Sequence, residues 1–440
     1  MPWTHNKSIF AKDFRSRPFW WDGYEPVHLS EITLPKQTEV AIVGAGYAGL
    51  NAALELAKNG VECIVLDAAE PGFGASTRNG GMVSGGVNVG KGMIRKAMSA
   101  DEARPFLVEA ADAFSHIEQL ITEHGIDCGW HKTGYFLGAW CKSHYDGMAT
   151  KISLLNEAAR ADANLIPQNE QRQHIGSDYY HGGMLVRRAA HLHPALYYKG
   201  LLHLAQKLGV PIASRTPVTG LAQKNDGSWQ VKTARGDIRA SNVLIATNGY
   251  TGDVTPQLKR RVVPVGSYLI ATEELPTDLA KSLSPQNESF ADTRRVLTYY
   301  RLSPDGKRMI FGGRARFGMM DATETAPLLY RFMTDRYPQL KGTKISHAWT
   351  GNVAFTFDEL PHIGMQDGLH FALGCNGSGI AMMSYLGHQS ARKIIGNGNR
   401  NIAFDLADFP TYPLYSGDPW FLPIIGAWFR SCDWWDSRFK

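Results

Sequence analysis

The chain has 440 residues, and its 44% hydrophobic and 20% charged residues are typical of a folded protein rather than a disordered one. Because one hydrophobic core rarely spans this length, we expect two or three domains. The 46 Lys and Arg against 41 Asp and Glu give a net charge of +5, and no basic run is dense enough to indicate nucleic-acid binding.

Five cysteines are scattered along the chain without a C-x-x-C pair, which argues against a disulfide framework and a structural zinc site. The first residues lack the continuous apolar region of a secretory signal. No apolar run is long enough for a membrane-spanning helix. These features predict a cytoplasmic protein that binds no metal.

A strand, a glycine-rich turn and a helix follow one another near the N-terminus. Val40–Val43 predicts a buried parallel strand, the turn 44–49 has the pattern G-x-G-x-x-G, and residues 50–57 predict a helix. A second predicted strand, residues 61–66, ends at Asp67. This is the arrangement of a dinucleotide-binding βαβ unit.

Each of the characteristic residues in this unit has a physical role. Gly44 permits the tight turn, Gly46 lets a pyrophosphate approach the backbone, and Gly49 lets helix and strand pack closely. The helix N-terminus offers free N–H groups to phosphate. Asp67 can accept hydrogen bonds from both ribose hydroxyls and would repel a 2′-phosphate, so the pattern favours FAD or NAD over NADP.

A second glycine-rich loop distinguishes FAD from NAD. Glycine recurs eight times between residues 72 and 92, far too often for a packed helix or strand. The segment 74–81 offers backbone N–H groups, a hydroxyl, a guanidinium and an amide together. An extended FAD needs such a loop because its ribityl chain and flavin continue past the pyrophosphate, so we predict FAD.

Later elements complete a dinucleotide-binding fold. We expect a helix over 195–208, a strand at Val218, a hairpin over 228–240 and a buried strand over 243–247. A third glycine-rich loop, residues 374–379, opens a helix. Its N–H groups and the helix dipole would stabilise the charge that develops at the flavin N1–C2=O region on reduction.

These residues are similar to those of the glycine/D-amino-acid oxidase-like flavoproteins, and within them to the γ-glutamylputrescine oxidase group. The motifs that carry the resemblance run in collinear order to the C-terminus: GFGASTRNGG (72–81), HLHP (191–194), YYRLSPDGKRMIFGG (299–313), YPQLKGTKISHAWTGN (337–352), DELPHIG (358–364) and GCNGSG (374–379). The resemblance implies an α/β (α+β) protein, with a Rossmann-like two-dinucleotide-binding FAD domain and a mixed-sheet substrate domain.

The expected domain bounds follow from this resemblance. They are 1–37 for an N-terminal extension, 38–90, 170–255 and 347–400 for the FAD domain, 91–169 and 256–346 for the substrate domain, and 401–440 for an aromatic C-terminal tail. The resemblance also implies oxidation of a C–N bond by hydride transfer to flavin N5, hydrolysis of the imine product and reduction of dioxygen to hydrogen peroxide. A dehydrogenase that passes electrons to a quinone and a non-catalytic flavin-binding subunit remain as alternatives.

The motifs and the resemblance together predict the residues that contact FAD. They are Gly44, Ala45, Gly46, Tyr47, Ala48, Gly49, Asp67, Ala68, Gly74, Ala75, Ser76, Arg78, Asn79, Gly80, Gly81, Met82, Val218, Thr247, Asn248, Gly249, Gly351, Gly374, Asn376, Gly377, Ser378, Gly379 and Ile380. We expect the cofactor to be non-covalent, because a free thiol at Cys375 is favoured over a tether.

The substrate is expected to be a small amine or amino acid. Related amino-acid oxidases often carry an arginine just after a Thr-Gly pair, but here Asn352 follows that pair, and Arg301 or Arg314 could supply the charge instead. Two further departures, Met82 and Cys375, stand where the group usually has glutamine and an aromatic residue. The candidates for substrate positioning are Tyr250, Tyr300, Arg301 and Trp349, with Tyr299 as a further aromatic wall and ordinary core packing as the alternative.

Two further features of the sequence are a pair of histidines and an aromatic tail. His191 and His193 lack a third metal ligand nearby, and Pro194 suits a helix entry, so we expect a turn into a helix. The tail crowds six Trp and Phe residues between positions 420 and 435, and it could cap the substrate domain, form a subunit contact or rest on a membrane surface. The cluster at residues 19–21 is expected to pack with this tail.

Overall fold

The computed structural model describes residues 9–26, 28–84, 86, 89, 96–313, 320–396, 401–436 and 438. Its strands are β1 Phe10–Arg15, β2 Gln37–Val43, β3 Cys63–Leu66, β4 Met82–Ser84, β5 Tyr135–Gly138, β6 Ala163–Ile166, β7 Gly183–Val186, β8 Ala189–His191, β9 Ile212–Ala213, β10 Val218–Gln223, β11 Trp229–Thr233, β12 Gly236–Ile245, β13 Val263–Thr272, β14 Ser289–Asp292, β15 Thr298–Leu302, β16 Met309–Gly313, β17 Ile345–Phe355, β18 His362–Gln366 and β19 Leu369–Leu373. The helices are α1 Tyr47–Lys58, α2 Ala100–His124, α3 Lys142–Ala158, α4 Pro194–Lys207, α5 Pro256–Lys259, α6 Thr277–Leu283, α7 Ala322–Arg336, α8 Gly379–Ile395 and α9 Leu422–Asp436.

The first sheet is the dinucleotide-binding sheet that the sequence predicts. Strand β2 pairs in parallel with β3 on one side and β12 on the other, and β12 pairs in parallel with β19. These strands are buried runs of Val, Ile, Leu and Ala, as expected where helices cover both faces of a parallel sheet. The predicted hairpin is also confirmed, because β10, β11 and β12 form an antiparallel meander.

Glycines allow helix α1 to approach its neighbours very closely. A Cβ built on Gly49 would lie 1.9 Å from the carbonyl oxygen of Gly44, and one built on Gly387 of α8 would lie 2.1 Å from the carbonyl oxygen of Ala48. Real Cβ atoms do not approach a carbonyl oxygen this closely, so both helices depend on glycine at these positions. The predicted role of Gly49 in helix–strand packing is therefore visible in the structure.

The second sheet is mixed and has nine strands in the order β1-β17-β13-β16-β15-β14-β5-β7-β6. Its β1/β17 and β14/β5 pairs are parallel, and the others are antiparallel. Helix α7 packs on one face of this sheet over an aromatic core that contains Tyr300, Phe311 and Tyr337. The α/β (α+β) fold class with a second mixed-sheet domain is thus confirmed.

Strand pairing changes the expected domain bounds. Residues 10–15, 183–186 and 347–355 all pair within the nine-stranded sheet, although we expected them in the extension or the FAD domain. Helix α2 shows the reverse, because its apolar stripe packs on α8 in the core of the first sheet. Strand partners are set by contacts between distant segments, and the local patterns that placed these bounds do not reveal them.

Among the described residues, no helix combines the length and the apolarity that a membrane span requires.

Candidate functional site

Two adjoining cavities lie at the carboxyl ends of the parallel strands. The first has a volume of about 390 Å³ and the second about 420 Å³. They share six lining residues, so they form one continuous trough: Ala75, Asn79, Asn352, Val353, Gly377 and Gly379. In open α/β sheets this edge is where ligands bind.

The first cavity is built around the glycine turn and the acid that follows β3. Asp67 lines it and accepts hydrogen bonds from the N–H of Ala45, at 2.8 Å, and the N–H of Ala69, at 2.9 Å. Burial raises the pKa of Asp67, and these two hydrogen bonds oppose that effect. The carboxylate thereby holds the turn while it faces the cavity, as a ribose-binding acid should.

Most of the predicted cofactor residues line this trough. Those that line one or both cavities are Gly44, Gly46, Tyr47, Ala48, Asp67, Ala68, Gly74, Ala75, Ser76, Arg78, Asn79, Gly80, Met82, Val218, Thr247, Asn248, Gly351, Asn376, Gly377, Ser378, Gly379 and Ile380. Five others line neither cavity, and each is next in sequence to a residue that does: Ala45, Gly49, Gly81, Gly249 and Gly374.

The second glycine-rich loop is held in place by its own side chains. Asn79 donates to the carbonyl oxygens of Ala75 and Ser76, both at 3.1 Å, and accepts from the N–H of Gly81 at 2.9 Å. The hydroxyl of Ser76 accepts from the N–H of Tyr47, at 3.1 Å, which ties the loop to the start of α1. The two phosphate-side motifs of the sequence therefore form one wall.

Three tryptophans support this loop from behind. The indole N–H groups of Trp20 and Trp349 donate to the carbonyl oxygens of Asn79 and Arg78, each at 2.8 Å, and that of Trp21 donates to the Thr77 hydroxyl at 2.9 Å. The expectation that residues 19–21 pack with the C-terminal tail is wrong. Trp349 lines neither cavity, so its contact is with the loop.

Arg301 also lies behind the loop rather than in a cavity. It is buried, and its guanidinium donates to the carbonyl oxygens of Gly80 and Leu192 and to Nδ1 of His191. Burial lowers the pKa of Arg301 to about 9, so it remains a cation at neutral pH. Because its donors are engaged with the backbone, Arg301 is placed to position the loop and not to bind a substrate carboxylate. The other candidate, Arg314, lies outside the described residues.

The pair formed by Arg301 and His191 predicts a pH dependence of stability. Burial and the guanidinium lower the pKa of His191 to about 2, whereas the pKa of a histidine in the unfolded chain is about 6.5. The contribution of neutral His191 to the free energy of unfolding is fully present above about pH 6.5. Below that pH it is lost by about 1.4 kcal/mol per pH unit.

We expect His191→Gln to fold and to make the fall in the free energy of unfolding between pH 6.5 and 4.5 less steep by about that amount. Urea titrations at several pH values measure this slope. Equal slopes for the two proteins would contradict the assignment.

Tyr299, and not Tyr300, faces the second cavity. Tyr299 lines it, and its hydroxyl lies 2.8 Å from that of Ser267. Tyr300 points to the opposite face of the sheet, where it stacks on Phe311 with ring centroids 5.0 Å apart and bonds the hydroxyl of Tyr180. This corrects the expectation for Tyr300, because successive side chains of a strand alternate between faces. Tyr250 lines the first cavity rather than the second.

Helix α8 begins where the two cavities meet. Its preceding loop is fixed by two hydrogen bonds, from the N–H of Gly374 to Asn248 at 3.0 Å and from the N–H of Asn376 to the carbonyl oxygen of Ala354 at 2.9 Å. Gly377 has φ +93° and open space around its α-carbon, which leaves the helix N-terminus accessible. Cys375 is a buried free thiol that lines the first cavity.

The remaining wall of the second cavity comes from the nine-stranded sheet, and the sequence motifs missed it. It includes Tyr135, Ser267, Ser289, Ala291, Leu297 and Phe355. The hydroxyl of Ser289 and the carbonyl oxygen of the Asn352 side chain are buried and have no hydrogen-bond partner among the described residues. Alternation along strands such as β13 and β14 is the sequence signal for these positions, and it does not say which face meets a ligand.

The C-terminal tail caps this wall. Asp433 of α9 is buried and accepts from the N–H groups of Arg295 and Val296, at 2.9 and 3.0 Å. These residues lead directly into Leu297, which lines the second cavity. Phe355, another residue of this wall, packs on the same apolar cluster as Leu422 and Phe429 of α9. Capping of the substrate domain, the first of the three roles considered for the tail, therefore has a structural basis.

His193 is the N-cap residue of helix α4. His193 accepts from the N–H of Leu196, at 3.2 Å, and Pro194 occupies the first position of α4. Within the ranges given above, no cluster of three or more His, Cys, Asp or Glu side chains is arranged to hold a metal ion.

The trough, its glycine loops and the N-terminus of α8 at the junction of the two cavities fit an extended FAD. The first cavity offers the phosphate turn and the ribose-side acid, while the second continues past the loop toward unpaired polar atoms. Fold and site together define an FAD-binding oxidoreductase.

Comparison with known proteins agrees with this class. The family model described as DAO, FAD dependent oxidoreductase, matches residues 39–393. Probable oxidoreductase OrdL of Haemophilus influenzae is 32% identical over 93% of this chain and 94% of that protein. Gamma-glutamylputrescine oxidoreductase of Escherichia coli is 32% identical over 86% of this chain and 88% of that protein.

A solved structure shows the same fold. Glycine oxidase from Geobacillus kaustophilus superposes with a TM-score of 0.72 at 20% sequence identity, over 86% of this chain and 99% of that chain. The chain belongs to the DAO family of FAD-dependent oxidoreductases, and it is an enzyme that uses FAD.

Proposed function

We infer that this enzyme oxidises a C–N bond in a small amine, and that the imine product is then hydrolysed. The glycine turn, Asp67 and the loops that line the trough would hold FAD, which would supply a hydride acceptor at N5 and a route for the electrons to dioxygen, with hydrogen peroxide as the product. The observation that carries this inference is the second cavity, whose described walls contain one charged side chain, Arg78, and no carboxylate.

The charge of these walls favours the reactive form of an amine. An amine must be neutral to lose hydride from its α-carbon, and desolvation lowers the pKa of a buried amine. No described carboxylate in the wall stabilises an ammonium ion, and Arg78 disfavours it further. The cavity therefore favours the neutral amine by desolvation and positions it for hydride loss. No dedicated base is required.

Asn352 supports an amine over a simple α-amino acid. It lines both cavities at the position after Thr350-Gly351, and it donates to the carbonyl oxygen of Gly249 at 3.3 Å. Its buried side-chain oxygen, which has no hydrogen-bond partner in the part of the chain that the structure describes, can accept from an amine N–H, but it offers no positive charge to a carboxylate. Gamma-glutamylputrescine oxidoreductase, which resembles this chain, has a name that points to the same substrate class.

Anaerobic reduction of the flavin tests the proposal. Purified enzyme is mixed with γ-glutamylputrescine, with secondary and tertiary amines, and with both enantiomers of common α-amino acids, and the loss of flavin absorbance is followed. We expect an amine to bleach the flavin. Bleaching by α-amino acids alone would overturn the substrate class, and no bleaching by any compound would support a non-catalytic flavin-binding subunit.

Reoxidation of the bleached enzyme then identifies the electron acceptor. We expect rapid reoxidation by air-saturated buffer with formation of hydrogen peroxide. Slow reaction with dioxygen and fast reaction with a soluble quinone analogue would instead identify a dehydrogenase.

A matched pair of tyrosine variants tests the assignment of the wall. Tyr299→Phe removes the hydroxyl that bonds Ser267 at the cavity, and we expect kcat/KM to fall about tenfold. Tyr300→Phe removes a buried hydroxyl on the other face, so we expect a loss of about 1 kcal/mol in stability with kcat/KM unchanged. Steady-state kinetics and thermal unfolding of both variants distinguish the two roles, and equal effects on kcat/KM would contradict the assignment.

A further inference from the structure

Exposed apolar side chains are concentrated in the C-terminal segment of the chain. Twelve large apolar side chains are strongly exposed among the described residues, and seven of them lie between positions 412 and 435. We call these seven the aromatic patch: Tyr412, Leu414, Trp420, Ile424, Trp428, Trp434 and Trp435. Isolated exposed apolar residues are ordinary, whereas a contiguous group marks an interaction surface.

Helix α9 has two different faces. Leu422, Gly426 and Asp433 are buried against the protein, while Ile424 and Trp428 on the outer face are 66% and 67% exposed. Ile424, Trp428 and Trp435 follow at spacings of four and seven residues, which places them on one stripe of the helix. The inner face caps the substrate-cavity wall, so the outer stripe is not needed to complete the fold.

On α9 and directly after it, the exposed charges that have no ion pair among the described residues are positive. Arg430 and Arg438 are exposed, and neither forms an ion pair with a carboxylate among the described residues. Arg438 lies over the ring of Trp434, at 4.0 Å from its centroid. The two acids of the helix are turned elsewhere, because Asp433 is buried and Asp436 pairs with Arg295 at 2.5 Å.

We propose that the aromatic patch docks the enzyme on an anionic lipid surface. Tryptophan is the side chain most suited to the boundary between lipid headgroups and acyl chains, and a basic rim is attracted to anionic headgroups. A second copy of the chain is a poorer partner, because α9 offers no exposed acid to the Arg430 and Arg438 side chains of another copy. This proposal is independent of the reaction that the enzyme performs.

Vesicle flotation with the FAD-loaded protein tests the docking. Vesicles contain either phosphatidylcholine alone or equimolar phosphatidylcholine and phosphatidylglycerol. We expect the protein to float with the anionic vesicles, with a blue shift of its tryptophan fluorescence. The Arg430→Gln and Arg438→Gln variants should each weaken this binding about fivefold. Equal binding to both kinds of vesicle, or to neither, would overturn the proposal.

Apolar variants provide the matched comparison. Ile424→Ser combined with Trp428→Ser is expected to reduce binding to anionic vesicles at least about tenfold, and Met365→Ser should leave it unchanged. Met365 is 61% exposed but lies on β18, outside the aromatic patch. Retained flavin absorbance shows that each variant is folded. If light scattering finds a dimer that the double variant abolishes, and no vesicle binding occurs, the patch is a subunit contact instead.

Discussion

Replacing Gly49 with alanine is expected to abolish FAD binding and to lower the free energy of unfolding by about 3 kcal/mol. The added Cβ would lie 1.9 Å from the carbonyl oxygen of Gly44 and 3.3 Å from the side chain of Ile42. The first of these atoms belongs to the phosphate turn and the second to β2, so α1 has to move away from the strand. That movement removes the helix N-terminus from the site where the pyrophosphate binds.

Gly147→Ala is the matched control for this prediction. Gly147 also lies in a helix, α3, but it is exposed and a Cβ there meets nothing within 4 Å. Alanine should therefore stabilise that helix by about 0.5–1 kcal/mol through its higher helix propensity. Flavin absorbance of the purified proteins and urea unfolding measure both effects. A Gly49→Ala enzyme that retains FAD and normal stability would contradict the close packing.

Arg301→Met is expected to lower the free energy of unfolding by about 2–4 kcal/mol and to weaken FAD binding. The substitution keeps much of the buried volume but removes the donors to the carbonyl oxygens of Gly80 and Leu192. Gly80 lines the second cavity, so loss of its support loosens the wall around the flavin. Arg301→Lys should give a smaller but clear loss, because one ammonium group cannot reproduce the fork of the guanidinium.

An exposed arginine serves as the control for Arg301. Arg239 pairs with Asp226 at the surface, and Arg239→Met should change stability by less than about 1 kcal/mol. Thermal unfolding and FAD titration of the apoprotein give the two quantities. If Arg301→Met keeps stability and FAD affinity but raises KM for a carboxylate-bearing substrate, Arg301 binds substrate and its proposed positioning role is incorrect.

The two faces of α9 in the C-terminal tail have different contacts. Asp433 holds the turn that leads to Leu297 in the cavity wall, while the outer face of the same helix carries the proposed lipid-docking stripe. A change at the outer face is expected to leave catalysis intact, and a change at Asp433 is not. The two faces can therefore be examined separately by mutation.

The cofactor side of the site could be predicted from the sequence. The turn 44–49, the loop 72–81 and the loop 374–379 all adopt backbone shapes that glycine permits, and the two cavities are lined largely by these segments. Positive φ at Gly44, Gly81 and Gly377 and the contact at Gly49 are local constraints, so the local sequence records them. The fold class followed because consecutive βαβ elements form a parallel sheet.

The substrate side could not be predicted in the same way, and only the tertiary structure decided it. Tyr299 and Tyr300 are neighbours with the same chemistry, and which of them meets the cavity depends on which face of the nine-stranded sheet is covered by α7. Arg301 holds a loop more than two hundred residues away in sequence, and Trp20 supports the same loop from the N-terminal side. These roles come from pairing between distant strands, whose register and partners are set by the packing of the whole chain.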